Sequence, residues 1–362
     1  MDNATTRKDI AHLSALVDAL PALEKARTRA LFHISTSVGV VDPPPEMHDW
    51  IRGFFGSLEA TLAQTIVKVT NLWTLEGALF NSLRASRPME AKVSGDLEAE
   101  IRAKLKGPFA TPLTGTPADS FGRVRGKRCI TASNIAKYDG YHGVVVFDEP
   151  YPLAFDAEAV SDYLDTAWEW ARRAHAEDPD ARYFFFMWNC LWKAGASILH
   201  GHAQMTMTRG LHYARVEAWR RAGVNYRLTH GRNYFQDLFE AHRALGLTLT
   251  WGSTRVLASL TPIKEKEVLL IADTLDEDLK GALYRVLRCY IDRLGVRSFN
   301  VALYLPPLAP APEDWSGFPA ILRVVDRGDP LNRTADIGAM ELYAASVVSS
   351  DPFRVIEALA EA

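Results

Sequence analysis

The chain has 362 residues, enough for about two packed domains or for one unit built from two similar halves. Hydrophobic residues make up 48% and charged residues 23% of the sequence, as in ordinary globular proteins, so disordered and fibrous classes are excluded. The 41 Lys and Arg nearly balance the 44 Asp and Glu, and the net charge of −3 provides no global positive field for a nucleic acid partner.

The three cysteines, Cys129, Cys190 and Cys289, lie far apart and form no C-x-x-C pair. This spacing excludes a disulfide framework and a cysteine-rich zinc site, so a reducing cytoplasm is the expected compartment. The N-terminus carries charges in every turn and does not resemble a signal peptide. No apolar run approaches the roughly 18 residues of a membrane helix, so no membrane partner is expected.

The N-terminal part is predicted to be a helical extension over residues 1–66. Apolar residues recur at helical spacing from Ile10 to about Asn81, with a break at Pro43–Pro45. Residues Gly107–Gly122 are rich in glycine, proline and threonine, and they are predicted to form a long surface loop.

From residue 129 onward the pattern alternates between strands and helices. In the first half, one helix is predicted at Ala157–Ala176. The predicted strands of this half are Cys129–Ser133, Gly143–Phe147, Tyr183–Asn189 and His200–Thr208. In the second half, helices are predicted at Asp276–Leu294 and Asp351–Ala360. The predicted strands of this half are Thr254–Leu260, Val268–Ala272, Ser298–Tyr304 and Ala320–Val325. Two strands, a helix and two strands, found twice, predict an α+β fold of two fused units with antiparallel sheets backed by helices, here residues 67–215 and 216–362.

Chemically functional residue types are concentrated between Asn189 and Gln204. If a strand begins at His200, then His200, His202 and Gln204 share one face, because side chains alternate along a strand. The preceding Gly195–Ser197 stretch offers backbone N–H groups for an anion cradle. Two other interpretations stay open: an ordinary half-exposed strand, and a metal pair, although no Cys, Asp or Glu lies close in sequence to complete one.

The pattern N-x5-G-A-S-x2-H-x-H-x-Q, from Asn189 to Gln204, resembles the active-site signature of the histidine-triad (HIT) superfamily. The resemblance is to the branch that contains galactose-1-phosphate uridylyltransferase and diadenosine tetraphosphate phosphorylase (ATP adenylyltransferase). Asn134, followed eight residues later by His142 and a hydrophobic strand, is similar to the same branch. The resemblance covers roughly residues 71–353 and implies two fused HIT-like units.

The segment Arg84-Ala-Ser-Arg87-Pro is similar to the R-A-x-R-P of the uridylyltransferases, which binds nucleotide phosphate. Taken alone, this short pattern is more often a solvated helix end. The order of the three similar segments along the chain is what favours the phosphate-binding interpretation.

The resemblance implies that His202 attacks the α-phosphorus of a nucleotide and forms a covalent nucleotidyl-histidine, which a second phosphate then resolves. An imidazole with a pKa of about 6.5 is mostly neutral at pH 7 and needs no separate base for this attack. Gln204 can donate its amide N–H to a phosphate oxygen, and glutamine at this position is typical of transferases and phosphorylases, whereas hydrolases commonly have histidine. The predicted catalytic residues are His202, Gln204, His200 and Ser197.

The remaining predicted residues bind ligands. Those assigned to the nucleotide and its phosphates are Arg84, Arg87, Asn134, Asn189, Gly195, Lys193 and His142. For Lys193 a plain surface position is an equally open interpretation. Glu341 stands where the branch has a sugar-binding glutamate, and it is assigned to the acceptor together with Arg323.

The metal ligands of the branch are missing from this sequence. The C-x-x-C of its zinc site is absent, Tyr151 stands in place of a histidine, and the stretch Phe318–Arg327 lacks the paired histidines of its iron site. No metal and no cofactor is therefore expected.

The expected function is that of a nucleotidyltransferase acting on a nucleotide or nucleotide sugar and on a phosphorylated acceptor or phosphate. One alternative is a phosphorylase or hydrolase of dinucleoside polyphosphates or nucleotide sugars. Another is a nucleotide-binding module without turnover. The resemblance also implies a homodimer, and the sequence specifies neither the base nor the acceptor.

Overall fold

The computed structural model describes residues 8–86 and 95–362 of the chain. Within these residues the strands form two sheets, and no helix is both long and apolar enough to cross a membrane. The strands are β1 (Phe32–Val40), β2 (Ala63–Asn71), β3 (Gly77–Phe80), β4 (Cys129–Ser133), β5 (Tyr141–Phe147), β6 (Ala181–Cys190), β7 (His202–Arg209), β8 (Thr248–Trp251), β9 (Thr254–Ala258), β10 (Val268–Ala272), β11 (Phe299–Tyr304), β12 (Ala320–Asp326) and β13 (Ser346–Val348). The α-helices are α1 (Leu13–Asp18), α2 (Ala22–Leu31), α3 (His48–Phe55), α4 (Leu58–Leu62), α5 (Leu97–Ala103), α6 (Pro112–Gly115), α7 (Ala157–Glu177), α8 (Ala214–His230), α9 (Tyr234–Leu245), α10 (Glu277–Asp292), α11 (Ala339–Tyr343) and α12 (Pro352–Ala360).

The larger sheet has the strand order β4-β5-β7-β6-β11-β12-β10-β9-β8. Its two halves repeat one arrangement, β4-β5-β7-β6 and β9-β10-β12-β11, and they meet where β6 pairs antiparallel with β11. The predicted α+β class with two antiparallel units is therefore confirmed. The boundaries at residues 66/67 and 215/216 stay a prediction.

One face of the large sheet is covered by α7 and α10, which pack against each other. Each helix begins at an aspartate, Asp156 or Asp276, whose carboxylate accepts a backbone N–H of the first turn. Gly143 of β5 lies directly beneath α7, where a Cβ atom would come within 2.8 Å of the Trp170 ring. Only glycine therefore fits where this strand passes under the helix.

The opposite face of the large sheet is covered differently in its two halves. Over the second half, α8 and α9 pack on the sheet, with Trp219 of α8 lying against Arg323 of β12. Over the first half, the loop residue Phe109 packs on a small apolar cluster formed by Ile130, Ala132, Val144 and Val146. The candidate site lies beside this small apolar cluster.

The sequence predicted a helical extension at the N-terminus, but the structure contains strands there as well as helices. Helices α1 to α4 are present, but β1 and β2 pair along their full nine residues, from Phe32 opposite Asn71 to Val40 opposite Ala63. They form the smaller sheet, of order β1-β2-β3-β13. The helical spacing of the apolar residues gave the wrong prediction here. Both strands are rich in the β-branched residues valine, isoleucine and threonine, which favour extended backbone.

From residue 129 onward, the predicted elements agree with the observed ones to within two residues at each end. The helices α8 and α9 and the short strands β3, β8 and β13 were not predicted. The predicted loop Gly107–Gly122 contains the single-turn helix α6.

Candidate active site

The candidate site lies on the sheet face opposite α7. The register places His202 opposite Val146 and Gln204 opposite Val144, so all four side chains leave the same face. Met187 of β6 lies opposite Gln204, and Asn189, two residues further along β6, points the same way. The register therefore brings the predicted nucleophile, glutamine and asparagine to one surface.

The turn between β6 and β7 is held tightly by its own backbone. Leu191 has φ 66° and ψ 170°, a conformation that is rare for any residue with a Cβ atom, and its side chain is buried. Gly195 has φ 95°, which favours glycine. The N–H groups of Gly195 and Ala196 donate to the carbonyls of Trp192 and Leu191.

These backbone bonds correct the predicted anion cradle. The amides of Gly195 and Ala196 are already used within the turn, so they are not free for a phosphate. Ser197 is exposed, and among the described residues neither its amide nor its hydroxyl has a partner. Of the predicted cradle, only Ser197 keeps donors for an anion.

His202 opens β7 with its imidazole in a fixed state. Its Nδ1 lies 2.8 Å from the carbonyl oxygen of His200. A carbonyl only accepts, so Nδ1 carries the hydrogen and Nε2 keeps the lone pair. Burial lowers the pKa of His202 to about 4, and Phe109 lies edge-on to its ring at 5.1 Å. The neutral, nucleophilic form is therefore the stable one at pH 7.

The sequence predicted that His200 lies in the strand. In the structure it lies in the preceding turn, because β7 begins only at His202. Its Nε2 donates to the carbonyl oxygen of Phe147 on β5 at 2.9 Å, and its Nδ1 is buried without a partner in the described residues. The side chain thus fastens the turn to the neighbouring strand, while its own carbonyl holds His202.

A polar cluster surrounds the side chain of Gln204. The Nε2 of His142 lies 2.9 Å from the Oε1 of Gln204 and 3.2 Å from the Nδ2 of Asn134. Asn134 follows β4 and its own Oδ1 accepts the N–H of Ala136 at 3.0 Å. The structure therefore brings Asn134, His142 and Gln204 together.

A chain of hydrogen bonds links Asn189 to the second half of the protein. The Oδ1 of Asn189 accepts from Asn300 at 2.7 Å, and the Oδ1 of Asn300 accepts from Arg327 at 2.5 Å. Arg327 also pairs with both carboxylate oxygens of Asp336, at 2.8 and 2.9 Å. Asn300 donates in addition to the carbonyl of Ala194, so this chain fixes the turn before His202.

A cavity of about 210 Å³ lies at the end of this chain, and His202 does not line it. Its charged lining includes Arg84, Lys193, Lys264, Arg327, Asp336 and Glu341. Lys193 donates to the carbonyls of Asn332, at 2.9 Å, and Thr334, and burial lowers its pKa. The structure thus joins predicted nucleotide-binding residues from the first half with the predicted acceptor residue Glu341.

Arg323 is not brought to this cavity. The residue is 3% exposed. Its guanidinium bonds to Glu76 at 2.7 and 3.1 Å and to Glu267 at 2.8 Å, and it lies 4.8 Å from the centre of the Trp219 ring. This side chain is the centre of a buried ion-pair network, a position that argues against its assignment to the acceptor, which stays a prediction. Arg87, the second arginine of the predicted phosphate pair, lies outside the described residues.

Three residues of the site were missed by sequence reasoning. Asn300 and Lys264 come from the second half, where no motif marks them, and only the pairing of β6 with β11 places Asn300 beside Asn189. Phe109 belongs to a loop whose position over His202 depends on tertiary packing. Within the described ranges no three His, Cys, Asp or Glu side chains are grouped so as to hold a metal ion.

Three buried histidines make the protein sensitive to acid. Burial lowers the pKa of His202, His212 and His242 from 6.5 to about 4 each. The unfolded chain therefore binds protons between pH 6.5 and 4 that the folded chain excludes. The free energy of unfolding should fall as the pH decreases through this window, by up to ~1.4 kcal/mol per pH unit for each histidine.

Urea unfolding at pH 7, 6 and 5 measures this effect. His242→Gln should reduce the slope by about one histidine's share, because His242 is fully buried between the carbonyl of Leu238 and the N–H of Leu260. The control is His33→Gln on the exposed edge strand β1. An equal slope in all three proteins would contradict the prediction.

No protein-family model and no curated protein matches the sequence. Solved structures do match the fold. An ADP-glucose phosphorylase from Arabidopsis thaliana, solved with bound ADP-glucose, is 16% identical with a TM-score of 0.61, over 81% of this chain and 98% of that one. A GalT-like protein from Arabidopsis thaliana is 18% identical with a TM-score of 0.57, over 70% and 91%.

A uridylyltransferase structure is 17% identical with a TM-score of 0.55, over 67% of this chain and 87% of that chain. At these identities the similarity concerns the fold. The fold that the sequence resemblance implies is therefore confirmed.

Proposed function

We propose that this protein is a nucleotidyltransferase that transfers a nucleoside monophosphate, through a covalent intermediate on His202, to a phosphate-bearing acceptor. The observation that supports this most directly is the state of His202. Its Nδ1 is committed to the carbonyl of His200, so Nε2 is unprotonated at neutral pH and needs no general base. Gln204, two residues along the same strand, is placed to donate to the phosphate under attack.

The proposed reaction has two displacements. In the first, Nε2 of His202 forms a bond to the α-phosphorus as the P–O bond to the leaving group breaks. In the second, an oxygen of the acceptor phosphate attacks, the P–N bond breaks, and its electron pair returns to Nε2. Phosphoryl transfer needs positioning and charge stabilisation, which Gln204, Ser197 and the N–H groups of Asn134 and Asn189 are suited to provide.

The second candidate is a phosphorylase of nucleotide sugars or dinucleoside polyphosphates, in which inorganic phosphate is the acceptor. Its specific support is the cavity beside the nucleophile turn, where Lys193, Lys264 and Arg327 converge. Lys264 and Arg327 pair with Asp336, whereas Lys193 bonds only to backbone carbonyls among the described residues and can meet a small anion as well as a phosphorylated sugar. The ADP-glucose phosphorylase that shares the fold makes ADP-glucose a sensible first substrate to test.

Intact-protein mass spectrometry tests the proposal. The protein is incubated with ADP-glucose, UDP-glucose, UDP-galactose or diadenosine tetraphosphate, and a mass gain of one nucleoside monophosphate is expected, located at His202 by peptide mapping. Products are then compared with and without inorganic phosphate. A free nucleoside monophosphate indicates hydrolysis, and a nucleoside diphosphate indicates phosphorolysis. Tight binding without an adduct would instead favour a nucleotide-binding module, and the proposal would be wrong.

Lys193 should act on the second displacement only. We expect Lys193→Met to raise the KM of the phosphate or sugar-phosphate acceptor by about 10-fold, since one charge-assisted contact is lost. Formation of the His202 adduct should stay within about threefold of wild type. Rapid-quench measurement of the two half-reactions separates them.

The control for Lys193 is Lys127→Met, because Lys127 is exposed, precedes β4, and has its ammonium 3.5 Å from Glu158 in the first turn of α7. Equal loss in both half-reactions would mean that Lys193 serves the turn rather than the acceptor. The predicted homodimer is tested separately by sedimentation.

A further inference from the structure

The buried histidine His142 contacts Gln204 without belonging to the motif around the nucleophile. It lies near the start of β5, is 1% exposed, and pairs in register with Thr206, so Gln204 is its diagonal neighbour on the same face. Its Nε2 lies 2.9 Å from the Oε1 of Gln204. His142 therefore meets the oxygen end of the glutamine amide.

The backbone of His142 is held by two hydrogen bonds, and its ring contacts Tyr138. Its backbone carbonyl accepts the N–H of Asn134 at 2.9 Å and the ammonium of Lys137 at 3.3 Å. The ring of Tyr138 lies over the imidazole, with centroids 4.0 Å apart. The backbone bonds thus fix the position of His142 at the start of β5, from which its ring reaches Gln204.

The hydrogen bonds around His142 select one tautomer. The Oε1 of Gln204 can only accept, so a hydrogen bond at 2.9 Å requires the hydrogen on Nε2. With the hydrogen on Nδ1 instead, a buried N–H would have no acceptor, because Nδ1 has no partner in the described residues. The lone pair of Nε2 would then also face the lone pairs of Oε1. The Nε2–H tautomer avoids both costs. In this tautomer the Nδ2 of Asn134, 3.2 Å from Nε2, makes no hydrogen bond to the ring, because both nitrogens are donors.

Protonation of the ring is disfavoured as well. Burial lowers the pKa of His142, so the neutral ring is the form present at pH 7. Asn134 cannot offer its oxygen to His142 instead, because its Oδ1 already accepts the N–H of Ala136. The amide of Gln204 is therefore the acceptor for His142.

We propose that His142 is a positioning residue: by donating Nε2–H to the Oε1 of Gln204, it turns the glutamine N–H groups toward the reacting phosphate. With the amide turned the other way, the oxygen of Gln204 would face the negatively charged phosphate and repel it. This inference rests on the proposed function, and it gives His142 a role other than the direct phosphate contact expected from sequence. The contribution belongs to the transition state, where charge on the phosphate oxygens is redistributed.

The tautomer can be measured without any activity. In protein labelled with 15N-histidine, the ring nitrogens of His142 should show the Nε2–H tautomer in the free enzyme, with assignment from the His142→Phe spectrum. The Nδ1–H tautomer would overturn the proposal directly. The tautomer is read from the wild-type protein, and the variant serves only to assign its signals.

A double-mutant cycle tests the role in the reaction. His142→Phe keeps the ring but loses the donor, and it should slow adduct formation on His202 by roughly 10- to 100-fold with little change in the KM of ADP-glucose or whichever nucleotide forms the adduct. His142→Gln restores a donor and should recover most of the rate. In a Gln204→Ala background, His142→Phe should cost almost nothing more.

The outcomes separate the two proposals. If wild type forms no adduct with any nucleotide, the proposed function fails. If wild type forms the adduct, but His142→Phe either leaves the rate unchanged or lowers it equally in the Gln204→Ala background, the positioning role fails. A raised KM without a change in kcat would instead indicate direct binding of the nucleotide by His142.

Discussion

A His202→Ala variant is expected to form no nucleotidyl adduct and to turn over at least ~10³-fold more slowly than wild type, as for other lost nucleophiles. The reason is that the neighbouring His200 cannot take over: its Nε2 donates to the carbonyl of Phe147, and its Nδ1 is buried. The variant should still bind nucleotide. Single-turnover assays with intact-mass detection measure the adduct, and isothermal calorimetry measures the binding.

The matched control is His33→Ala, which removes an exposed histidine from β1, far in the fold from β7. It should form the adduct at the wild-type rate. The rate of adduct formation in wild type should also show no inflection from His202 between pH 8 and 5, because the pKa of this histidine is about 4. An adduct retained in His202→Ala would place the nucleophile elsewhere and sink the covalent mechanism proposed here.

Replacing Arg323 with leucine is expected to destabilise the fold by about 3–5 kcal/mol, because it leaves Glu76 and Glu267 facing each other in the interior without a cation. Burial already raises the pKa of Glu267 to about 7. Guanidinium denaturation should show a larger loss at pH 8 than at pH 5, because the loss of Arg323 raises the pKa of Glu267 further. At lower pH, protonation of Glu267 should relieve part of it.

Two further variants make this prediction specific. Arg323→Leu combined with Glu76→Gln and Glu267→Leu removes the charges together, and it should recover most of the lost stability. Arg323→Lys keeps one cation and should leave the KM of the acceptor unchanged. A raised acceptor KM in Arg323→Lys, with stability near that of wild type, would support the acceptor role that the buried position of Arg323 argues against.

Much of the fold was predictable from residue 129 onward because the two halves have regular periods. Strands such as Cys129–Ser133 and Val268–Ala272 are short, apolar and β-branched, and the long helices have aspartate caps. The N-terminal part was mispredicted because helices α3 and α4 interrupt a strand pair whose partners are separated by more than twenty residues along the chain. The β-branched residues of each strand favour extended backbone locally, but the pairing itself over that distance has no local signal.

The spacing of the nucleophile motif alone determined that His202 and Gln204 share a face, since alternation along a strand is a local property. The partners of Arg323 in β12 and of Arg327, the residue that follows this strand, depend on tertiary structure. Arg323 meets Glu76 and Glu267 from 247 and 56 residues away, and Arg327, four positions on, meets Asn300 and reaches the cavity. Which carboxylates pair with each arginine, in the interior for Arg323 and beside the cavity for Arg327, is decided by folding, and no pattern within one segment contains that information.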